Sequence, residues 1–459
     1  MRTVSQTGIP IGGLGVSLAS LGFNTPWNST GGIGPIDPAQ EGVPGMSFNN
    51  YSFGQPTYQD NEFDNTVQVI DNFTKIVGTH SFQFGGDFHY DQFNYRLHAA
   101  PNGMFGFSGA ETGLDFADFL IGAPSVFIQG SNEILNNRGR YSGVYAQDSW
   151  RALPTLTINY GLRYEVMTPW YETHNWLGTL VPGEQSTVFP GAPTGLVFPG
   201  DPGVGRSLSP TVYGNVAPRL GIAYTPDAQN GWLARILGGP RKSSIRAGYG
   251  MFYGAMAGLA YKITAGSPPF GQYYQAPTPP VLASPYIDRS TGHFEGIKYP
   301  FAFPPTNVSP KNPDTTFNWP QILPLSGGNY LYPKNVMPYT QNFEVSLERQ
   351  LGSATVMSAS YVGTVGRQNL TFVESNPGDQ ALCLQLSNPA NVAPGTTTCG
   401  PFGEQNVYTL ANGQLVNGTR PLYGINLGSN PFTKTAASSS YNSFQASLHH
   451  TDKLSLIHI

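Results

Sequence analysis

The stretch 155–168, Thr-Leu-Thr-Ile-Asn-Tyr-Gly-Leu-Arg-Tyr-Glu-Val-Met-Thr, constrains the fold more than any other part of the chain. Leu156, Ile158, Tyr160, Leu162, Tyr164 and Val166 are apolar or aromatic. Thr157, Asn159, Gly161, Arg163 and Glu165, which alternate with them, are polar or glycine. Side chains alternate between faces along a strand, so this segment has one oily face and one wet face. In a soluble sheet the wet face looks outward. In an outer-membrane barrel the oily face looks outward, and charges such as Arg163 and Glu165 point into the lumen. Which way the strand faces decides what the protein does.

The same period of two recurs at 65–77, 81–95, 140–151, 215–225, 243–254, 339–350, 354–364 and 440–450. Short turns join some of these strands, at 78–80, 152–154 and 351–353. Long connections join others, at 98–139, 169–214, 255–338 and 365–439, with a mid-length one at 226–242. Structureless loops beyond about 15 residues are uncommon in compact soluble domains. Outer-membrane barrels combine short periplasmic turns with long extracellular loops. The expected strand length of about 10–14 residues suits a tilted crossing, which takes roughly 9–11. Trp150, Tyr164, Tyr224 and Tyr253 fall near strand ends, where interfacial aromatic girdles sit. Inside 98–139, Leu114, Ala117, Leu120 and Ile121 have helical spacing with Thr112 as N-cap, which predicts a short helix over the barrel mouth. A further short strand is the alternative there. The expected fold class is all-β, an antiparallel transmembrane β-barrel represented in part by roughly 10–13 strands.

Composition agrees with a membrane or secreted β-protein. Charged residues make up 11% of the 459 residues, against about 25% in typical soluble domains. Lys and Arg total 23 and Asp and Glu 27, so no basic face is expected and no nucleic-acid partner. No run of about 18 apolar residues could form a membrane helix. Cys383 and Cys399 lie close together in a Pro-, Asn- and Gly-rich segment, where a loop-closing disulfide and two free thiols are both open readings.

Catalytic and metal signatures are weak. Gly248 and Gly250 are followed by Gly254, one place too late for a phosphate-binding G-x-G-x-x-G, and they continue a strand. Asp87, His89 and Asp91 share a strand face and line a wet lumen better than they hold a metal. Glu344 and Glu348 are about 13 Å apart along a strand, farther than a glycosidase pair. No G-x-S-x-G elbow occurs. No catalytic residue, cofactor or metal is therefore expected, and the chain does not read as an enzyme.

Six segments carry a family likeness. They are Gly78-Thr79-His80-Ser81-Phe82-Gln83-Phe84-Gly85-Gly86-Asp87-Phe88, Phe116-Ala117-Asp118-Phe119-Leu120-Ile121-Gly122, Tyr145-Ala146-Gln147-Asp148-Ser149-Trp150, Leu156 to Glu165, Ala217-Pro218-Arg219-Leu220-Gly221-Ile222-Ala223-Tyr224, and Arg246-Ala247-Gly248-Tyr249-Gly250-Met251-Phe252-Tyr253. In this order they resemble the barrel of TonB-dependent outer-membrane receptors, of the Oar-like group with many members in soil acidobacteria. The resemblance implies a bacterial outer-membrane location and a barrel of about 22 strands. It also implies a plug domain through which the inner-membrane TonB complex supplies energy. Outer-membrane lipid and a small ligand (a sugar, a peptide or a metal chelate) are the other implied partners. The loop aromatics Trp170, Tyr171, Trp176, Tyr273 and Tyr274 are the expected ligand contacts. Arg163, Glu165, Arg219, Arg246 and Glu344 are expected to face the lumen.

The ends depart from the family pattern. No signal peptide, plug or TonB box is recognisable, and the strand beginning at Leu454 stops early. Residues 1–60 read as a Gly/Pro-rich segment, either a plug-to-barrel linker or a first barrel strand. Residues 61–456 read as a partial barrel, and 457–459 as a non-native end. The sequence thus reads as a receptor fragment. A passive outer-membrane pore and a secreted β-sheet adhesin or carbohydrate-binding protein are the alternatives.

Overall fold

The tightest reversals in the chain are built on glycine. Gly78 (φ +58°) and Gly352 (φ +78°) occupy the left-handed region in the turns that follow two of the long strands, a conformation that costs glycine little. The computed structural model describes residues 2–7, 17–25, 32–34, 41–54, 57–130, 132–255, 258–262, 264, 268–271, 273–276, 278–294, 307–400 and 403–451. Ten strands form the main sheet: β1 (Arg2–Thr7), β2 (Thr57–Val77), β3 (His80–Ala99), β4 (Asn132–Leu153), β5 (Leu156–Glu172), β6 (Val212–Tyr224), β7 (Ser243–Tyr253), β8 (Tyr339–Leu351), β9 (Thr355–Glu374) and β10 (Pro431–His450). Each pairs antiparallel with its neighbours in sequence, so the sheet is an up-and-down meander. The two-residue strand Tyr330–Leu331 adds to β10 in parallel. Among the described residues β1 and β10 do not pair with each other, so the sheet is open.

Connections alternate as the sequence spacing predicts. Residues 78–79, 154–155, 225–242 and 352–354 lie at one end, and 100–131, 173–211, 254–338 and 375–430 at the other. The strands are longer than expected, up to 22 residues in β4, and the long connections are correspondingly shorter than 98–139, 169–214 and 365–439. The reason lies in the loop-side ends of the strands. There Phe93, Tyr95 and Leu135 are buried beneath loops, so the alternation of oily and wet residues no longer holds. Two segments of the long connections are also strands or strand extensions. Met104–Gly106 and Val126–Gly130 join a small sheet with Gly45–Ser47, Ser52–Phe53 and Tyr273–Gln275. Residues 365–373 simply continue β9. The strand expected from Leu454 and the end 457–459 lie outside the described residues.

Cross-strand register gathers the oily residues onto one face. Val144, Tyr164 and Val216 are in line, as are Ile222, Ala247, Val345, Tyr361 and Phe444. This face has no core beneath it: Leu162, Val345 and Phe444 are 52, 55 and 73% exposed. A soluble sheet would bury such a row, since covering one Leu, Val or Phe stabilises by about 1.5–3 kcal/mol.

The buried cores lie elsewhere, among the long connections. One cluster joins Leu180, Phe189 and Phe198 to Trp319 and Leu427, and so welds three connections together. A second packs Leu18, Phe23 and Phe48 on Phe105, Phe127 and Tyr286. Buried polar groups staple the layer. Asp201 accepts hydrogen bonds from the Ser186 and Thr187 hydroxyls at 2.7 and 2.8 Å and from the backbone N–H groups of Thr187, Val188 and Phe198. Asn430 reaches the Leu325 and Gly428 carbonyls, and Asn335 the Thr433 carbonyl. Cys383 and Cys399 are joined by a disulfide in the 375–430 connection.

Among the described residues four short α-helices occur: α1 (Asp115–Leu120), α2 (Gly231–Leu237), α3 (Gly258–Lys262) and α4 (Gln380–Leu386). In α1, Thr112 is not the N-cap. Leu114 holds that position without a side-chain bond. Asp118 instead reaches back from inside the helix to accept from the Thr112 hydroxyl at 2.7 Å and its N–H at 2.9 Å. Burial pushes the Asp118 carboxyl up, but these bonds outweigh it and leave its pKa below the ordinary value.

Two outcomes test the loop layer. Asp201→Ala leaves several donors unsatisfied and costs about 1–3 kcal/mol, so protease cleavage within 173–211 should accelerate while the strands stay intact. Asp288 accepts from the Ser290 hydroxyl and N–H and the Thr291 N–H, and these bonds, against burial, hold its pKa down at about 2. A depressed carboxyl pKa stabilises above the ordinary value and ceases to as pH falls through the folded one. Hydrogen exchange at 288–292 should therefore rise between about pH 4 and about pH 2, and Asp288→Asn should abolish that dependence.

Candidate functional site

The face opposite the oily one is a continuous polar wall. Gln83, Gln147, Gly161, Arg219, Gly250 and Asn342 form one row across six strands. Asp87, Gly143, Glu165 and Asn215 form another. Arg246 opposes Ala223 and Ser346, and Glu344 opposes Gly248 and Val362. The register therefore puts Arg163, Glu165, Arg219, Arg246 and Glu344 on the same side of the sheet.

Arg163 is the centre of this wall. Its Nε donates to Glu165 Oε1 at 2.6 Å, and its Nη2 donates to the Tyr141 hydroxyl. That hydroxyl donates in turn to Glu165 Oε1 at 2.8 Å. Asp87 Oδ2 lies 3.6 Å from the guanidinium, and His89 Nε2 lies 2.7 Å from Asp87 Oδ1. Gly143 makes the cluster possible. A Cβ there would fall 2.5 Å from the Tyr141 hydroxyl and 2.6 Å from Arg163 Nη2. Gly85 plays the same part beneath Tyr145, whose ring a Cβ would approach to 2.4 Å. The long polar side chains lie flat across glycines, and the wall stays smooth.

Farther along, Arg219 covers the Phe252 ring at 4.7 Å and Arg246 pairs with Glu348 at 3.4 Å. Tyr145, Gln147, Gly161, Arg163 and Arg219 line a shallow recess. The wall offers donors, acceptors and paired charges, and can therefore bind polar solutes or a second polar surface.

The loop aromatics have other tasks. Tyr274 is buried against Tyr286 and Phe127, with ring centroids 5.0 and 6.2 Å away. Trp176 stacks on Phe270 at 6.3 Å, at the edge of the largest loop core. Trp170 meets Phe93 edge-on at 6.4 Å. Tyr171 is half-buried with Arg206 over its ring at 4.7 Å. The Tyr273 side chain lies outside the described residues. Trp170, Trp176 and Tyr274, expected as ligand contacts, are thus spent on packing, because apolar rings in long connections build the cores that order those connections.

One cluster has no counterpart in the sequence reading. Asp148 lies on the oily face, buried, at 2.7 Å from His80 Nδ1 and accepting from the Tyr160 hydroxyl at 2.9 Å. His80 stacks between Phe82 and Trp150 at 5.4 and 5.5 Å, nearly parallel to both. The signal was present as a break in parity, since Asp148 stands where the alternation of β4 calls for an apolar residue.

The family described as outer membrane beta barrel domain matches residues 15–456. The chain belongs to the outer membrane beta barrel family. It is a protein of the bacterial outer membrane, and the match describes a barrel domain and not an enzyme. The open oily face of this barrel domain is its lipid face. Similar solved structures include the outer membrane transporter YddB from Escherichia coli, 10% identical over 90% of this chain and 35% of its own, TM-score 0.40. Another is the siderophore receptor PirA from Acinetobacter baumannii, 10% identical over 92% and 38%, TM-score 0.35. A third is the Serratia marcescens hemophore receptor HasR, 10% identical over 86% and 47%, TM-score 0.31. The chain spans only 35–47% of these three structures. No curated protein matches the sequence.

The Arg163–Glu165 pair is testable by a double-mutant cycle. Arg163→Met alone leaves the Glu165 carboxylate without its cation and should cost about 2–3 kcal/mol. Arg163→Met combined with Glu165→Leu should cost clearly less. Urea unfolding of the barrel, followed by its heat-dependent gel mobility, measures both.

Proposed function

We propose that this barrel domain forms part of the wall of a TonB-dependent outer-membrane receptor of the Oar-like kind, which captures a small ligand outside and passes it through a plugged lumen. The observation that carries this reading is the open ten-strand meander with one polar face. Unpaired strand edges are costly in lipid, each unsatisfied backbone group being worth several kcal/mol. The described strands therefore act as one arc of a wider wall. In barrels of eight strands side chains fill the interior, whereas those of about 22 strands enclose a lumen that a separate domain plugs. The network around Arg163, with Glu165 Oε2 buried and unpaired, suits contact with such a polar plug. The packed extracellular layer supports capture, since ordered loops bind a ligand at lower entropic cost.

The six sequence segments in family order support the Oar-like assignment and the TonB coupling. The ligand class stays at a sugar, a peptide or a metal chelate. With Trp170, Trp176 and Tyr274 engaged in packing, the recess beside Arg163 and Arg219 is the better candidate for contact along the path.

Uptake is the test. Cells that need the intact gene for growth on a candidate ligand should lose growth when tonB is deleted or the proton gradient is collapsed. Ligand entry that continues at the same rate without TonB would replace this reading with a passive pore.

A further inference from the structure

Between β6 and β7 the chain does not turn tightly. It builds α2 at the periplasmic rim, and two contacts fix that helix to the lipid side of the wall. The Ser243 hydroxyl donates to the Leu237 carbonyl at 2.7 Å, and Arg349 Nη2 donates to the Arg235 carbonyl at 3.2 Å. Ser243 and Arg349 oppose each other across β7 and β8, two residues from the paired Ile245 and Leu347, and so share the oily face. Gly238 ends the helix at φ +83°.

The free face of α2 is apolar. Trp232, Leu233 and Ile236 are 70, 46 and 54% exposed, while Ala234 and Leu237 are half-buried against the protein. At about 100° per residue, the three exposed side chains fall on one side of the helix. Tyr224 and Leu351 are exposed at the same rim. Basic groups surround this face: Arg235 on the helix itself, Arg241 and Lys242 just after it, and Arg349 beneath it. Asp227 is the facing acid, 3.5 Å from Arg241.

We propose that α2 is a lipid-docking helix. It seats Trp232, Leu233 and Ile236 among the acyl chains of the inner leaflet of the outer membrane and directs Arg235 and Lys242 to the phosphates of anionic phospholipid. Short helices with one apolar face and flanking Lys or Arg lie in the membrane interface plane. Tryptophan favours that depth, and basic side chains beside a membrane gain from an anionic surface. Two features select lipid over a protein partner. The apolar face of α2 adjoins the lipid face of β7 and β8, to which the helix is bonded, and its surplus charge is positive. The inference needs only the outer-membrane placement and does not depend on the transport reading.

Spin labels test the depth. Single cysteines at Trp232, Ile236 and Asn230 can be labelled in outer-membrane vesicles carrying the intact gene product, with Cys383 and Cys399 protected by their disulfide. Labels at 232 and 236 should be relaxed more by oxygen than by a water-soluble nickel chelate, and the label at 230 more by the chelate. Chelate-dominated relaxation at 232 and 236 would overturn the proposal. Brominated phospholipid supplies a second measurement: it should quench a tryptophan emission component that is missing in Trp232→Phe, and identical quenching in both proteins would also overturn it. After reconstitution into phosphatidylcholine vesicles with and without phosphatidylglycerol, the oxygen-to-chelate ratio at 236 should change about two-fold. Arg235→Gln with Lys242→Gln should remove that dependence. A wild-type ratio indifferent to phosphatidylglycerol would overturn the phosphate contact.

Discussion

Backbone groups in a bilayer have no water to bond to, and the rest of this structure depends on that constraint. Only helices and closed sheets satisfy it, and this chain has no helix long and apolar enough to cross among its described residues. The crossings are therefore made by strands, and β2 to β9 are bonded on both edges. A slip of one residue between neighbours would turn Leu162 inward and Arg163 toward lipid. Register is thus the main determinant of the fold, and the glycine turn at 78–79 and the short reversals at 154–155 and 352–354 set it locally.

Two kinds of cohesion divide the molecule. The membrane arc is held by its hydrogen-bond ladder and has no apolar core. The long connections are held by buried rings and by carboxylate or amide staples such as Asp201 and Asn430. Strain or solvent change at one end is therefore resisted by different forces from those at the other. The polar wall belongs to neither class, since its glycines let Arg163, Tyr141 and Tyr145 lie flat and bond sideways along the surface.

Much of this was legible in the residues. Strict alternation identified the strand that became β5, and eight recurrences of the period of two located the membrane portions of the other strands from β2 to β10. The wet parity named Arg163, Glu165, Arg219, Arg246 and Glu344, which the register brings to one face. What alternation could not mark was where strands end, because above the lipid the wet parity of β3 and β4 carries Phe93, Tyr95 and Leu135, buried against the long connections. The packing of the loop aromatics was hidden for a related reason: Trp170, Trp176 and Tyr274 resemble binding residues in composition, and only tertiary contacts show Tyr274 within a core and the two tryptophans packed against one. Thr112 had the chemistry of an N-cap, but Asp118 captured its hydroxyl and N–H first. Asp148 broke the pattern of its strand, and its partners His80 and Tyr160 come from two other strands.

Strand length has a consequence of its own. β9 and β10 each have 20 residues, about 65 Å of extended chain at 3.3 Å per residue. Tilted by about 40°, they rise to about 50 Å, against an apolar band about 25 Å tall. Since the turn joining β8 to β9 is tight, the surplus lies at the long-connection end as a collar about 25 Å high. The long connections and their buried cores are therefore carried clear of the lipid by the strands themselves.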